Sequence, residues 1–135
     1  MKNSITKDIQ NHLEFMGYTI EVQEQDEAAT LLCENMSRSN ITVRIIRDLV
    51  MVRGRYFTKT IPESIQLFKL FDEINRRSLM TKWYSEPKQE RPELVVDIEC
   101  HAFGYDKEKF GKLLEQFEKE IRDYLPEFNN FEESK

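Results

Sequence analysis

Asp97, Glu99 and His101 stand at alternate positions of one short run, and alternate positions of a β-strand project from one face. Two carboxylates and an imidazole, roughly 6–7 Å apart along such a strand, could hold a divalent cation or exchange protons with a substrate. The interleaved positions, Leu94, Val96, Ile98, Cys100 and Ala102, are all apolar. The same alternation therefore describes a half-buried strand whose wet face is polar for ordinary reasons. A nuclease-type metal site would add an acid on a neighbouring strand and a lysine two positions after the second carboxylate, but position 101 is histidine. A metal-dependent enzyme using Asp97, Glu99 and His101 is thus the runner-up, behind a reading with no catalytic residue, no metal and no cofactor.

Other reactive side chains add little to the enzymatic reading. His12 follows Asn11 on the polar side of a first helix and reads as a surface residue. Cys33 and Cys100, the only two cysteines, both fall in apolar strand patterns, so buried thiols are expected, not a disulfide or a metal pair. The chain shows no nucleophile elbow, no paired-cysteine metal spacing and no phosphate-binding glycine loop, and its 4 glycines support such loops poorly.

Residues suited to contact are more prominent. Arg44, Arg53 and Arg55 share one sheet face if the strand starting at Ile41 pairs with the strand starting at Leu49. They could meet an acidic peptide, or the acidic N-terminal third of a second copy. Trp83 and Tyr84 are adjacent, so they point to opposite faces of their strand and one of them faces outward. Large aromatics outside a core are favoured at interfaces, where they bury much area at low entropic cost. Arg44, Arg53, Arg55, Trp83 and Tyr84 are therefore the candidate partner or dimer surface.

The elements that must position these groups follow from periodicity. Ile5, Ile9, Leu13 and Met16 mark one helical face, and Gly17 is a stop. Strands are expected over 18–24, 28–36, 41–46 and 49–57, with a bulge or close approach at Gly54. Thr60, Pro62 and Glu63 form a capping-box start for a second helix, with Ile61, Ile65, Phe68, Phe71 (or Asp72) and Ile74 on one face and Leu67 and Leu70 widening it, so that the helix packs on more than one side. Residues 79–84 read as a strand, residues 85–92 as a solvated loop with two prolines, and 94–102 as the strand described above. Asp106 caps a last helix whose stripe is Phe110, Leu113, Leu114, Phe117, Ile121 and Leu125, and Pro126 stops it. The fold class is α+β: a single antiparallel sheet of five or six strands with helices on one face, in the order α-β-β-β(-β)-α-β-β-α. Residues 1–128 make one domain, and 129–135 a polar tail that frays.

Composition bounds what this domain can do. Of its 135 residues 33% are charged, and net charge is −5. The charge is uneven: residues 1–37 carry two basic and seven acidic groups, whereas 38–59 carry six basic groups and one acid. An acidic protein with one basic ribbon lacks the broad positive field of a nucleic-acid binder. No apolar run approaches the roughly 18 residues needed to span a bilayer, and the first residues lack the apolar segment of a secretion signal. A cytoplasmic protein without membrane or nucleic-acid partners is expected.

The element order, together with Ile74, Asn75, Arg76 and Arg77 leaving the second helix, the strands over 79–84 and 94–102, and the acidic cap Asp106 before an aromatic-rich helix, resembles the YbjN family, which shares the type III secretion chaperone-like fold. The resemblance runs from about Ile5 to Leu125. It implies a small bacterial cytosolic protein, dimeric, acting by binding a protein client or a regulatory partner.

Overall fold

The computed structural model describes residues 4–85 and 93–132. The expected solvated loop at 85–92 and the end of the expected tail fall largely outside them. Strands β1 (Thr19–Gln25), β2 (Ala28–Glu34), β3 (Ile41–Ile46), β4 (Leu49–Phe57), β5 (Lys82–Ser85) and β6 (Val95–Phe103) form one antiparallel sheet in the order β1-β2-β3-β4-β6-β5. Helix α1 (Ser4–Phe15) precedes the sheet, α2 (Ile65–Arg77) joins β4 to β5, and α3 (Lys107–Tyr124) follows β6 with a short α4 (Pro126–Asn129) behind it.

Tight reversals make the first four strands a meander. Asp26 and Arg47 take positive φ (49° and 56°) in the two-residue connections β1–β2 and β3–β4. Arg47 Nε donates to Glu27 3.0 Å away, which ties the two turns together. Gly17, at φ 97°, ends the α1 segment as its sequence position demands.

One face of the sheet carries Leu31, Val43, Val52, Ile98 and Cys100, all buried, and the helices lie over it. Ile9 and Leu13 of α1, Leu67, Phe71 and Ile74 of α2, and Phe110, Leu113, Leu114, Phe117 and Ile121 of α3 complete the core. Phe128 of α4 is fully buried against Phe71 and Trp83, and Phe131 also packs on the core. At Gly54 the register of β4 with β6 runs unbroken, so the glycine marks a close approach, by the Tyr56 ring, and no bulge.

Helix α2 departs from its expected start. Thr60 and Glu63 do not cap it; Ser64 does, its side chain accepting from the Leu67 amide. Ile61 precedes Pro62, which disfavours helical backbone there, and its side chain is drawn into the core instead. The buried stripe of α2 is Leu67, Phe71 and Ile74, and Ile65 and Phe68 are exposed where burial was expected. The strand expected from Leu79 begins only at Lys82, and Leu79 and Met80 are exposed.

Candidate binding surface

The other face of the sheet has no described helix over it. Its register places Arg53 opposite Glu99 and Arg55 opposite Asp97, with Lys82 and Tyr84 of β5 opposite the same two acids. Arg44 lies one strand away, between Thr30 and Met51, with no acid directly across from it. Of the five residues expected to form the surface, Arg44, Arg53, Arg55 and Tyr84 share this face. Trp83 does not: it pairs with Ile98 on the helix side and is 1% exposed, stacked on Phe128 at 5.9 Å. Alternation told that Trp83 and Tyr84 part company, and the helix layer decides which goes inward.

Ion pairing organises the centre of the face. Arg55 Nε donates to Asp97 Oδ1 at 2.9 Å and Nη2 to Oδ2 at 3.3 Å, a fork that fits the carboxylate plane. Asp97 is completely buried between its neighbours. Glu99 lies 3.8 Å from Arg53 and 3.8 Å from the His101 imidazole. The acids and histidine that suggested a metal site thus share the face with arginines that take up their oxygens. Among the described residues no group of three His, Cys, Asp or Glu side chains is placed to hold a metal ion. Exposed Phe57 and Phe103 flank the ladder at its two ends.

Two residues behave differently from expectation. His12 is not a plain surface residue: its Nδ1 lies 2.8 Å from the Tyr105 hydroxyl, and its ring packs edge-on against Phe110, which links α1 to the start of α3. Partial burial and nearby Lys107 lower its pKa. Glu120, which sequence patterns do not mark as a site residue, is 2% exposed. Its carboxylate accepts from the Thr81 hydroxyl at 2.6 Å, from the amides of Met80 and Thr81, and from Gln116 at 2.6 Å. Burial alone would raise its pKa; these hydrogen bonds outweigh that and hold it below the usual value. Its one sequence signal is its position seven residues after Leu113, on the buried stripe. Cys33 and Cys100 are buried thiols, and burial pushes both up to about 12.

Residues 7–130 match the family model of YbjN, described as "Putative bacterial sensory transduction regulator". The chain belongs to the YbjN family. Its fold is similar to that of a crystal structure of YbjN from E. coli, called there "a putative transcription regulator", with a TM-score of 0.63 and 16% identity over 93% of this chain and 91% of that one. At that identity the likeness concerns the fold. No curated protein matches the chain. Among the described residues no helix of this YbjN-family chain is long and apolar enough to cross a membrane.

Proposed function

We propose that this YbjN-family protein is a non-enzymatic regulatory adaptor, chaperone-like in that it holds part of another protein, and that it works as a cytoplasmic homodimer. The observation that carries this reading is the open sheet face. It is six strands wide, lacks a described helix cover, and presents Arg44, Arg53, Arg55 and Tyr84 between exposed Phe57 and Phe103. A central patch of paired charges with aromatic margins suits recognition of a protein surface, because paired arginines add specificity while the rings supply buried area. The acids of the ladder already have arginines across from them, and among the described residues Arg44 has no acid directly opposite, so it is a group suited to a new partner. The first two strands place Glu21 and Glu34 on the same face. A two-fold arrangement of two such faces lets the basic middle of one copy meet the acidic margin of the other.

The test is the oligomeric state by light scattering, together with capture of a partner from the native host by covalent crosslinking. The purified protein runs as a dimer, and Arg44→Glu combined with Arg53→Ala weakens dimerisation or capture about ten-fold without lowering the unfolding midpoint. Arg55 is left intact because reversing it would confront buried Asp97 with a like charge. A monomer whose partner capture ignores the double substitution overturns the reading.

A further inference from the structure

The edge of β6 beyond the end of β5 is chemically distinct from the open sheet face. The Leu94 amide and carbonyl and the Gly104 amide, at even positions flanking β6, all bond toward the β4 side. The β4–β6 register runs without interruption between them. Even residues of β6 therefore bond to β4, and odd residues direct their N–H and C=O to the opposite edge. Asp97 and Glu99 meet β5 there, but the ladder stops at the Lys82–Glu99 pair. His101 and Phe103 are left with four main-chain hydrogen-bonding groups that no described strand reaches.

Buried Glu120 accounts for the gap. Were β5 continued in register, Thr81, Met80 and Leu79 would lie against Cys100, His101 and Ala102. Instead the amides of Met80 and Thr81 bond to Glu120, and the Thr81 carbonyl accepts from Ser78 Oγ at 2.7 Å. The segment is drawn off the sheet toward α3. An open groove of about 550 Å³ remains between the bare edge and the first turns of α3. Its floor is apolar, with Ala102, Phe110 and Leu113, and its lip carries exposed Leu79 and Phe103. Lys109 and Lys112 stand on the α3 rim with Asp106 at its start, and Lys112 is paired with Glu108 at 3.3 Å, which leaves Lys109 as the rim cation without an ion pair among the described residues.

We infer that this groove takes an extended segment of a protein partner, added as a strand to β6 at His101 and Phe103. Unpaired strand edges recruit strands, because main-chain groups supply the bonds and alternate side chains supply selectivity. Opposite Ala102, the smallest residue on the inward face of β6, the segment places an apolar side chain into the groove. Beside Lys109 it places an acidic one. The inference rests on the reading of the chain as a protein-binding module; it shares Phe103 with the margin of the open sheet face but makes no use of Arg44, Arg53, Arg55 or Tyr84, and Ala102→Leu probes the groove alone.

A random linear peptide library displayed on phage, selected on the full chain, tests it. Selected peptides carry an apolar residue with an acidic neighbour. Their affinity falls about ten-fold in Phe103→Pro, which removes an edge donor without touching the β4 ladder, and in Ala102→Leu, which fills the groove and keeps every main-chain bond. Hydrogen exchange at His101 and Phe103 is fast in the free protein and slows on peptide addition, whereas Arg44→Glu leaves binding unchanged. Peptides that ignore both groove variants, or that are lost with Arg44→Glu instead, overturn the edge site while leaving the protein-binding reading standing. Failure to select any peptide, or amides of His101 and Phe103 already protected in the free protein, also overturns it; the dimer and capture test judges the broader reading separately.

Discussion

Arg55 and Asp97 face each other directly across the β4–β6 ladder, and the guanidinium forks onto a carboxylate that has no solvent exposure while the arginine itself stays half exposed. A charge so buried is tolerable only while its partner is present, because desolvation is costly and the fork offsets it. Arg55→Ala leaves Asp97 alone and destabilises the fold by about 2 kcal/mol. Asp97→Ala removes the buried charge as well as the bond. The double variant Arg55→Ala/Asp97→Ala therefore loses less than the sum of the single losses, with a coupling of about 1 kcal/mol or more. Urea unfolding of the four proteins measures this, and strict additivity would show that the fork contributes nothing.

Glu120 holds the chain between α2 and β5 through a depressed carboxyl and therefore gives stability a defined pH dependence. A carboxyl whose folded pKa lies below its unfolded value near 4.5 contributes stability that is fully present above 4.5 and lost as pH falls through the folded value. Glu120→Gln keeps the shape but turns an N–H₂ group toward donors that need an acceptor. It costs about 1–3 kcal/mol at neutral pH. Because the variant lacks the titrating group, the gap between it and the native chain narrows on acidification below 4.5. Urea midpoints measured from pH 7 down to pH 3 give both numbers, and a gap that is constant or widens refutes the assignment.

How legible the molecule is depends on the range over which each feature is set. The β6 alternation and the α3 stripe from Phe110 to Ile121 are local periodicities, so sequence spacing reveals them and the α+β sheet they imply. The α2 start is not legible locally: Thr60 and Glu63 match a capping box, but the restriction Pro62 places on Ile61 and the pull of the core on that side chain win. The candidate surface was partly readable: arginines at alternate positions of β4 must share a face. Which acids they meet was not, since Arg55 and Asp97 are 42 positions apart and only the strand order, β6 beside β4, brings them together. Glu120 is only half legible: its spacing from Leu113 puts it on the buried stripe, but its role depends on donors about 40 residues upstream that no local pattern shows.

Gly54 tests the packing that keeps the sheet face and the core in register. It is buried on β4, and a Cβ built there would come 2.8 Å from Cε2 of Tyr56 and 3.0 Å from its hydroxyl oxygen. The first is closer than real Cβ contacts come and the second is at the tight end of them, so the ring has to move. The ring is confined: it packs against the core, and burial raises the pKa of its hydroxyl. The expected gain from alanine in a strand, lower chain entropy in the unfolded state, is therefore outweighed by overpacking of about 1–3 kcal/mol. Gly54→Ala should lower the thermal midpoint, whereas Gly54→Ala combined with Tyr56→Leu, which shortens the obstructing side chain, should recover part of the loss. Differential scanning calorimetry of the single and double variants measures both, and an unchanged or raised midpoint in Gly54→Ala would show that the Tyr56 ring does not hold the position against the glycine.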